Sequence, residues 1–318
     1  MVHIESYALT GKVINTHGHP RDPYQNGDGR SELMIPLYNQ VFGDVIGIGN
    51  TMTPLTTVER ARVMKKIWQA LSRHTRMHVA GLLTEKTDPE EVIAGFDTQD
   101  GDEAWIAMKV FLRSVSNAGG HDVDNIAAII PCIKAMVSTS WKHKQAGRKM
   151  VLKIHCERKF TSLGRRIAID DRERVAVERD VEFILKEVPE AVIEICHVSD
   201  GDTIEAIRYY QKQGFCVTGE ISPHYTEYTN DDLYEDGYDG TGFNSHRFCL
   251  PKFKSAKDRR IILDAMVSGE SWWHYGDDGA CHDDNPVLEK GVKINVHGIT
   301  LGGQTQLPEA VVSYTLEQ

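Results

Sequence analysis

RERVAVERDVEFILKEVPEAVIEICHV, residues 172–198, contains the unit whose repetition decides the fold. Its first part, RERVAVERDVEFILKEV, places apolar residues at helical spacing, whereas AVIEICHV is a nearly continuous apolar run of strand length that ends on His197. The segment before it, MVLKIHCE (150–157), is a second such run and ends on His155. Working outward in both directions, the same kind of run recurs at KVINTH (12–17), DVIGIGN (44–50), HVAGLLT (78–84), WIAMKVFL (105–112), CVTGEISP (216–223) and WWHYGDD (272–278). Helical spacing recurs between the runs, in TVERARVMKKIWQALSRH (57–74), DGDTIEAIRYYQKQG (200–214) and SAKDRRIILDAMVSG (255–269). Eight strand-then-helix repeats predict a TIM (β/α)8 barrel, whose parallel strands are buried on both faces and therefore lack polar alternation. One barrel domain spanning 1–318 is the expectation.

A barrel places its chemistry at the C-terminal ends of its strands. The polar residues of this chain fall there: His17 and His19 close the first strand, Asn50 the second, His155 the fifth, His197 the sixth and Asp278 the eighth, while Lys109 lies in the fourth. In extended chain, residues i and i+2 share a face, so His17 and His19 can grip one ion from the same side. A single histidine at a strand end is more often an ordinary hydrogen-bonded residue, but four with an aspartate on one rim point to a metal centre. Lys109 has two readings. An ammonium among cations is unfavourable, and reaction with carbon dioxide would convert it to an anionic carbamate able to bridge two metals; alternatively, it is a lysine that snorkels to a helix carboxylate. The residues alone leave both open.

A formal net charge of −10 without a long basic run argues against a nucleic-acid surface, and WKHKQAGRK (141–149) reads as a solvated helix end. No apolar stretch reaches the ~20 residues a membrane span needs, and MVHIESYALTGK lacks the features of a signal peptide. The six cysteines are dispersed without CxxC pairs, as expected of reduced, buried thiols. A cytoplasmic location is the default expectation, and the net charge does not exclude a small anionic substrate, since a pocket needs only one or two well-placed cations; a homodimer is expected. The longest loop, TNDDLYEDGYDGTGFNSHRFCLPKFK (229–254), is too polar and glycine-rich for a helix.

Taken in order, HGHPRD, GN with Asn50, AMKVFL, KIHCE, EICHVSD, FCLPKFK and GDDGACH resemble the dihydroorotases of the amidohydrolase superfamily, most closely the class II enzymes of bacterial type. The resemblance implies two zinc ions per subunit, one held by His17, His19 and Asp278 and the other by His155 and His197, with Lys109 bridging them as N6-carboxylysine. It further implies that Arg21 and Asn50 hold a substrate carboxylate, that Leu250 and His282 contact the substrate, and that Asp278 is the catalytic proton carrier. The implied reaction is reversible hydrolysis of a cyclic amide, dihydroorotate to N-carbamoyl-aspartate.

Some positions depart from the family pattern: Asn15 stands where an aspartate is expected, Gly279 and Cys281 replace a serine and a proline, and SVSNAGGHD offers Ser116 and Asn117 in place of a threonine pair. PEAVVSYTLEQ (308–318) is the only candidate for a final helix, so the chain is expected to be shorter than the family at its C-terminus. Hydantoins, imides and lactones are alternative substrates. A silent barrel serving as an assembly subunit is the reading outside enzymology.

Overall fold

Eight parallel strands hydrogen-bond in chain order, β1 to β8, in the computed structural model of the chain. The structure describes residues 13–20, 35–36, 38–39, 42–48, 54–96, 103–112, 121–142, 149–161, 165–233, 251–278, 288–289 and 292–293. The strands are β1 (Val13–Gly18), β2 (Phe42–Ile48), β3 (Arg76–Leu82), β4 (Ala107–Leu112), β5 (Val151–Cys156), β6 (Val192–Ile195), β7 (Cys216–Ile221) and β8 (Trp273–Tyr275). All eight runs read from the sequence are therefore strands, in the predicted order, and together they form a TIM barrel. β8 returns to β1, where the Thr16 hydroxyl donates to the Tyr275 carbonyl at 2.9 Å and the Asp278 N–H donates to the His17 carbonyl at 2.9 Å.

The helices follow the predicted segments. Val58–Leu71 begins at Thr57, whose side chain accepts from the Arg60 N–H; Ala256–Val267 begins with a capping box between Ser255 and Asp258. The segment at 172–188, expected as one helix, is α-helical at Arg172–Ala176, widens to a π-turn at Val177–Val181 and returns to α at Glu182–Glu187. No helix among the described residues is long and apolar enough to cross a membrane.

Strand alternation divides the buried residues into two layers. Outward-facing Val110, Ile154, Ile193, Ile195 and Val217 pack against the helices in one large core. The barrel interior differs from side to side. Towards β2–β4 it is apolar, with Ile48, Ala80 and Ala107 in one cluster against which Ile46 and, from the start of β5, Val151 pack. Towards β5–β7 it is charged: Lys153, which pairs in register with Glu194, reaches both Glu194 and Glu220. All three are nearly inaccessible to solvent. Burial opposes the charge on Lys153, but its surroundings, Glu194 foremost and Glu220 among them, outweigh it and hold the ammonium above its ordinary pKa.

Candidate metal centre

At the mouth of the barrel the predicted residues converge as two donor sets. His17 lies on β1 and His19 just beyond its end, and their Nε2 atoms lie 3.1 Å apart. Asp278, just beyond β8, turns Oδ1 to within 3.2 Å of His17 Nε2 and 3.1 Å of His19 Nε2. Across the mouth, at the end of β5 and just beyond β6, His155 Nδ1 lies 3.0 Å from His197 Nε2. Ligand atoms bound at ~2.0–2.1 Å around a tetrahedral zinc are about 3.3 Å from one another, so both sets have the spacing of neighbouring ligands on one ion. The rings of His17 and His197 face each other with centroids 5.5 Å apart, which brings the two sets together.

Lys109 supports the same reading. Its side chain is 1% exposed, its Nζ has no hydrogen-bond partner among the described residues, and it lies 5.4 Å from the centre of the Phe111 ring. The snorkelling alternative needs a route to solvent and a carboxylate partner, and neither is present among the described residues. A buried amine left unpaired is costly as an ammonium, whereas a carbamate bound to metal would satisfy it. The donor set as a whole therefore fits the implied metals.

Electrostatics prepare these groups as ligands. Burial, followed by the charge of Lys109, pushes His17 well below the ordinary histidine range, and burial with His155 and Lys109 does the same to His197. Both rings are thus neutral near pH 7 and keep a lone pair available. Burial would raise the Asp278 carboxyl, but its interactions with the facing His17, His19 and His197 rings outweigh it and hold the group well below the ordinary carboxylate range.

His197 and Asp278 are also the two non-glycine residues in left-handed backbone among those described, at φ 38° and 48°. Such conformations are uncommon outside glycine and concentrate at functional sites. Asn15 performs the local task that an acid would have: its Oδ1 accepts from the backbone N–H of His17 at 3.1 Å and of Asp277 at 3.2 Å, joining both sides of the β1–β8 seam. Arg21, Asn50, Leu250 and His282 lie outside the described residues, as do Ser116, Asn117, Gly279, Cys281 and 308–318. Cys132, Cys156, Cys196 and Cys216 are free thiols.

No family model matches the chain. Over 271 residues it is 27% identical to a dihydroorotase of Serratia proteamaculans, covering 84% of this chain and 69% of that protein. The chain spans about two thirds of the length of such curated relatives. A crystal structure of the dihydroorotase of Saccharomyces cerevisiae with 5-fluoroorotic acid has the same fold, with a TM-score of 0.75, 19% identity and coverage of 96% of this chain and 81% of that one.

The chain is a relative of the dihydroorotases.

The fold is shared more widely: the L-hydantoinase of Arthrobacter aurescens superposes with a TM-score of 0.64 at 18% identity, covering 85% of this chain and 58% of that one. In this dihydroorotase relative the structure adds one site residue that sequence reasoning passed over. Glu220, on β7 and fully buried, lies with its Oε1 2.7 Å from His17 Nδ1. The available signal was an acid inside a strand expected to be buried on both faces, with Lys153 and Glu194 similarly placed on the two preceding strands.

Proposed function

We propose that the chain is a zinc-dependent cyclic amidase that interconverts L-dihydroorotate and N-carbamoyl-L-aspartate, a step of de novo pyrimidine biosynthesis. The observation that carries this reading is the pair of facing donor sets, His17, His19 and Asp278 at 3.1–3.2 Å and His155 with His197 at 3.0 Å, beside Lys109, whose Nζ has no hydrogen-bond partner among the described residues. Two zinc ions held by those sets, with Lys109 as a shared N6-carboxylysine, would supply a water that ionises near neutral pH and would polarise the ring carbonyl.

The remaining work falls to the chain's own side chains. Asp278, its carboxyl held low and its Oδ1 set 3.1–3.2 Å from the Nε2 atoms of His17 and His19, takes up the proton released as the ring carbonyl is attacked. It then returns that proton to the departing ring nitrogen. Arg21, with a planar fork suited to a carboxylate, and Asn50 orient the substrate's acid group. Leu250, through its backbone, and His282 complete the contacts to the ring. A cytoplasmic homodimer is the setting we propose, the compartment being supported by the free, buried thiols of Cys132, Cys156 and Cys196.

Hydrolysis of dihydroorotate, hydantoin and dihydrouracil by the zinc-loaded protein tests the assignment. Dihydroorotate is expected to react at least ~100-fold faster than either ring lacking a carboxylate, because the site pairs a cation with that group. Reaction of only the rings without a carboxylate would remove Arg21 from its role and leave an enzyme of hydantoinase type.

A further inference from the structure

We propose that Glu220 is a positioning residue that fixes one histidine of each donor set, an inference that rests on the metal-centre reading above. Its Oε1 lies 2.7 Å from His17 Nδ1 and accepts the backbone N–H of His197 at 3.1 Å. A ring nitrogen that close to a carboxylate is the donor. Nδ1 of His17 therefore carries the hydrogen, and Nε2 presents its lone pair to the corner shared with His19 and Asp278. Through the same oxygen, Glu220 pins the backbone of His197 where it adopts its left-handed turn. One carboxylate on β7 thus touches a ligand from β1 and a ligand following β6.

A purely structural role does not account for this placement. Lys153 has Glu194 as its closer partner, and its pairing with Glu220 does not engage Oε1. Glu220 turns only its other oxygen, Oε2, towards Lys153 Nζ at 3.4 Å and the Thr16 hydroxyl at 3.5 Å. The neighbouring strand leaves room for it: a Cβ on Gly276 would lie 2.5 Å from Glu220 Cδ, so any larger residue there would displace the carboxylate.

The experiment compares wild type with E220A, E220Q and G276A, using zinc as the probe. Zinc affinity is measured by competition with a chromogenic chelator, and the His17 tautomer of the zinc-free protein by nitrogen-15 NMR. Loss of a hydrogen-bond partner behind a metal-bound histidine weakens affinity about 10–100-fold, and that loss is expected for E220A together with loss of the single Nδ1–H tautomer. E220Q is expected to stay within about threefold. Its amide oxygen can still accept from His17 and His197, because the reverse orientation would set an N–H against both donors. G276A, which keeps the glutamate but crowds it, is expected to weaken zinc about tenfold and serves if E220A does not fold.

Wild-type affinity in E220A or in G276A overturns the proposal, as does E220Q binding as weakly as E220A. A wild-type protein that takes up no zinc overturns the metal centre itself and this inference with it, an outcome distinct from the others.

Discussion

On the β1 side of the mouth each histidine ring is turned by a hydrogen bond to its second nitrogen, His17 by Glu220 at 2.7 Å and His19 by the Ile48 carbonyl at 3.2 Å. On the β5–β6 side the support is looser. His155 meets Glu157 at 3.4 Å, and His197 Nδ1 has no partner among the described residues. His197 is placed instead by its backbone, with φ at 38° and its N–H held by Glu220. One pair is oriented through its rings, the other largely through packing and main chain. The contrast shows that a ligand can be preorganised from either end of its side chain.

The largest test of this contrast is Lys109→Ala, which removes the group expected to be common to both pairs. Hydrolysis is expected to fall about a thousandfold or more, because several kcal/mol of transition-state stabilisation go with the metals. A short carboxylate added back should restore part of it, and zinc per chain, measured by elemental analysis, should fall. Full activity in this variant would erase the link between the two sides.

A smaller effect isolates the backbone at His197. His197→Gly and His197→Ala both remove the ligand, but alanine carries the strain of a left-handed conformation and glycine does not. The zinc-free glycine variant is expected to be more stable in urea by roughly 0.5–1 kcal/mol, after allowing for glycine's greater unfolded-state entropy. A glycine variant less stable than the alanine variant by about 0.5–1 kcal/mol, glycine's entropic cost alone, would mean that the turn at His197 stores no strain. The smallest effect belongs to Glu157→Gln, where a contact of 3.4 Å to His155 is lengthy for a hydrogen bond. Zinc affinity measured by chelator competition should change by less than about threefold. A loss as large as that expected of E220A would put the two sides on the same footing.

Much of this arrangement was legible in the letters. The run AVIEICHV announces a strand buried on both faces and places His197 at its end, and the same logic located His17, His155 and Asp278 from strand periodicity alone. HGH needed only the two-residue period of extended chain to give a pair on one face. The support behind the ligands was harder to read, because it depends on which strands become neighbours. Glu220 in CVTGEISP looks like any acid until β7 is set across the mouth from β1, and Gly276 acquires meaning only once Glu220 occupies the space beside it. Asn15 looked like a defect in the pattern, and its use emerged only when the Asp277 N–H arrived from the far end of the chain.

The seam between β1 and β8 joins parts of the chain that are remote in sequence, as Thr16 and Tyr275, 259 positions apart, illustrate. An ion gripped by His17, His19 and Asp278 would cross-link the chain at that seam, much as a disulfide does but with a bond that a chelator can undo. Closing so long a loop restricts the unfolded chain by about 5 kcal/mol in the chain-entropy account. The ligand that prepares the site for chemistry would then also act as the clasp of the barrel, at the point where the Asp278 N–H meets the His17 carbonyl.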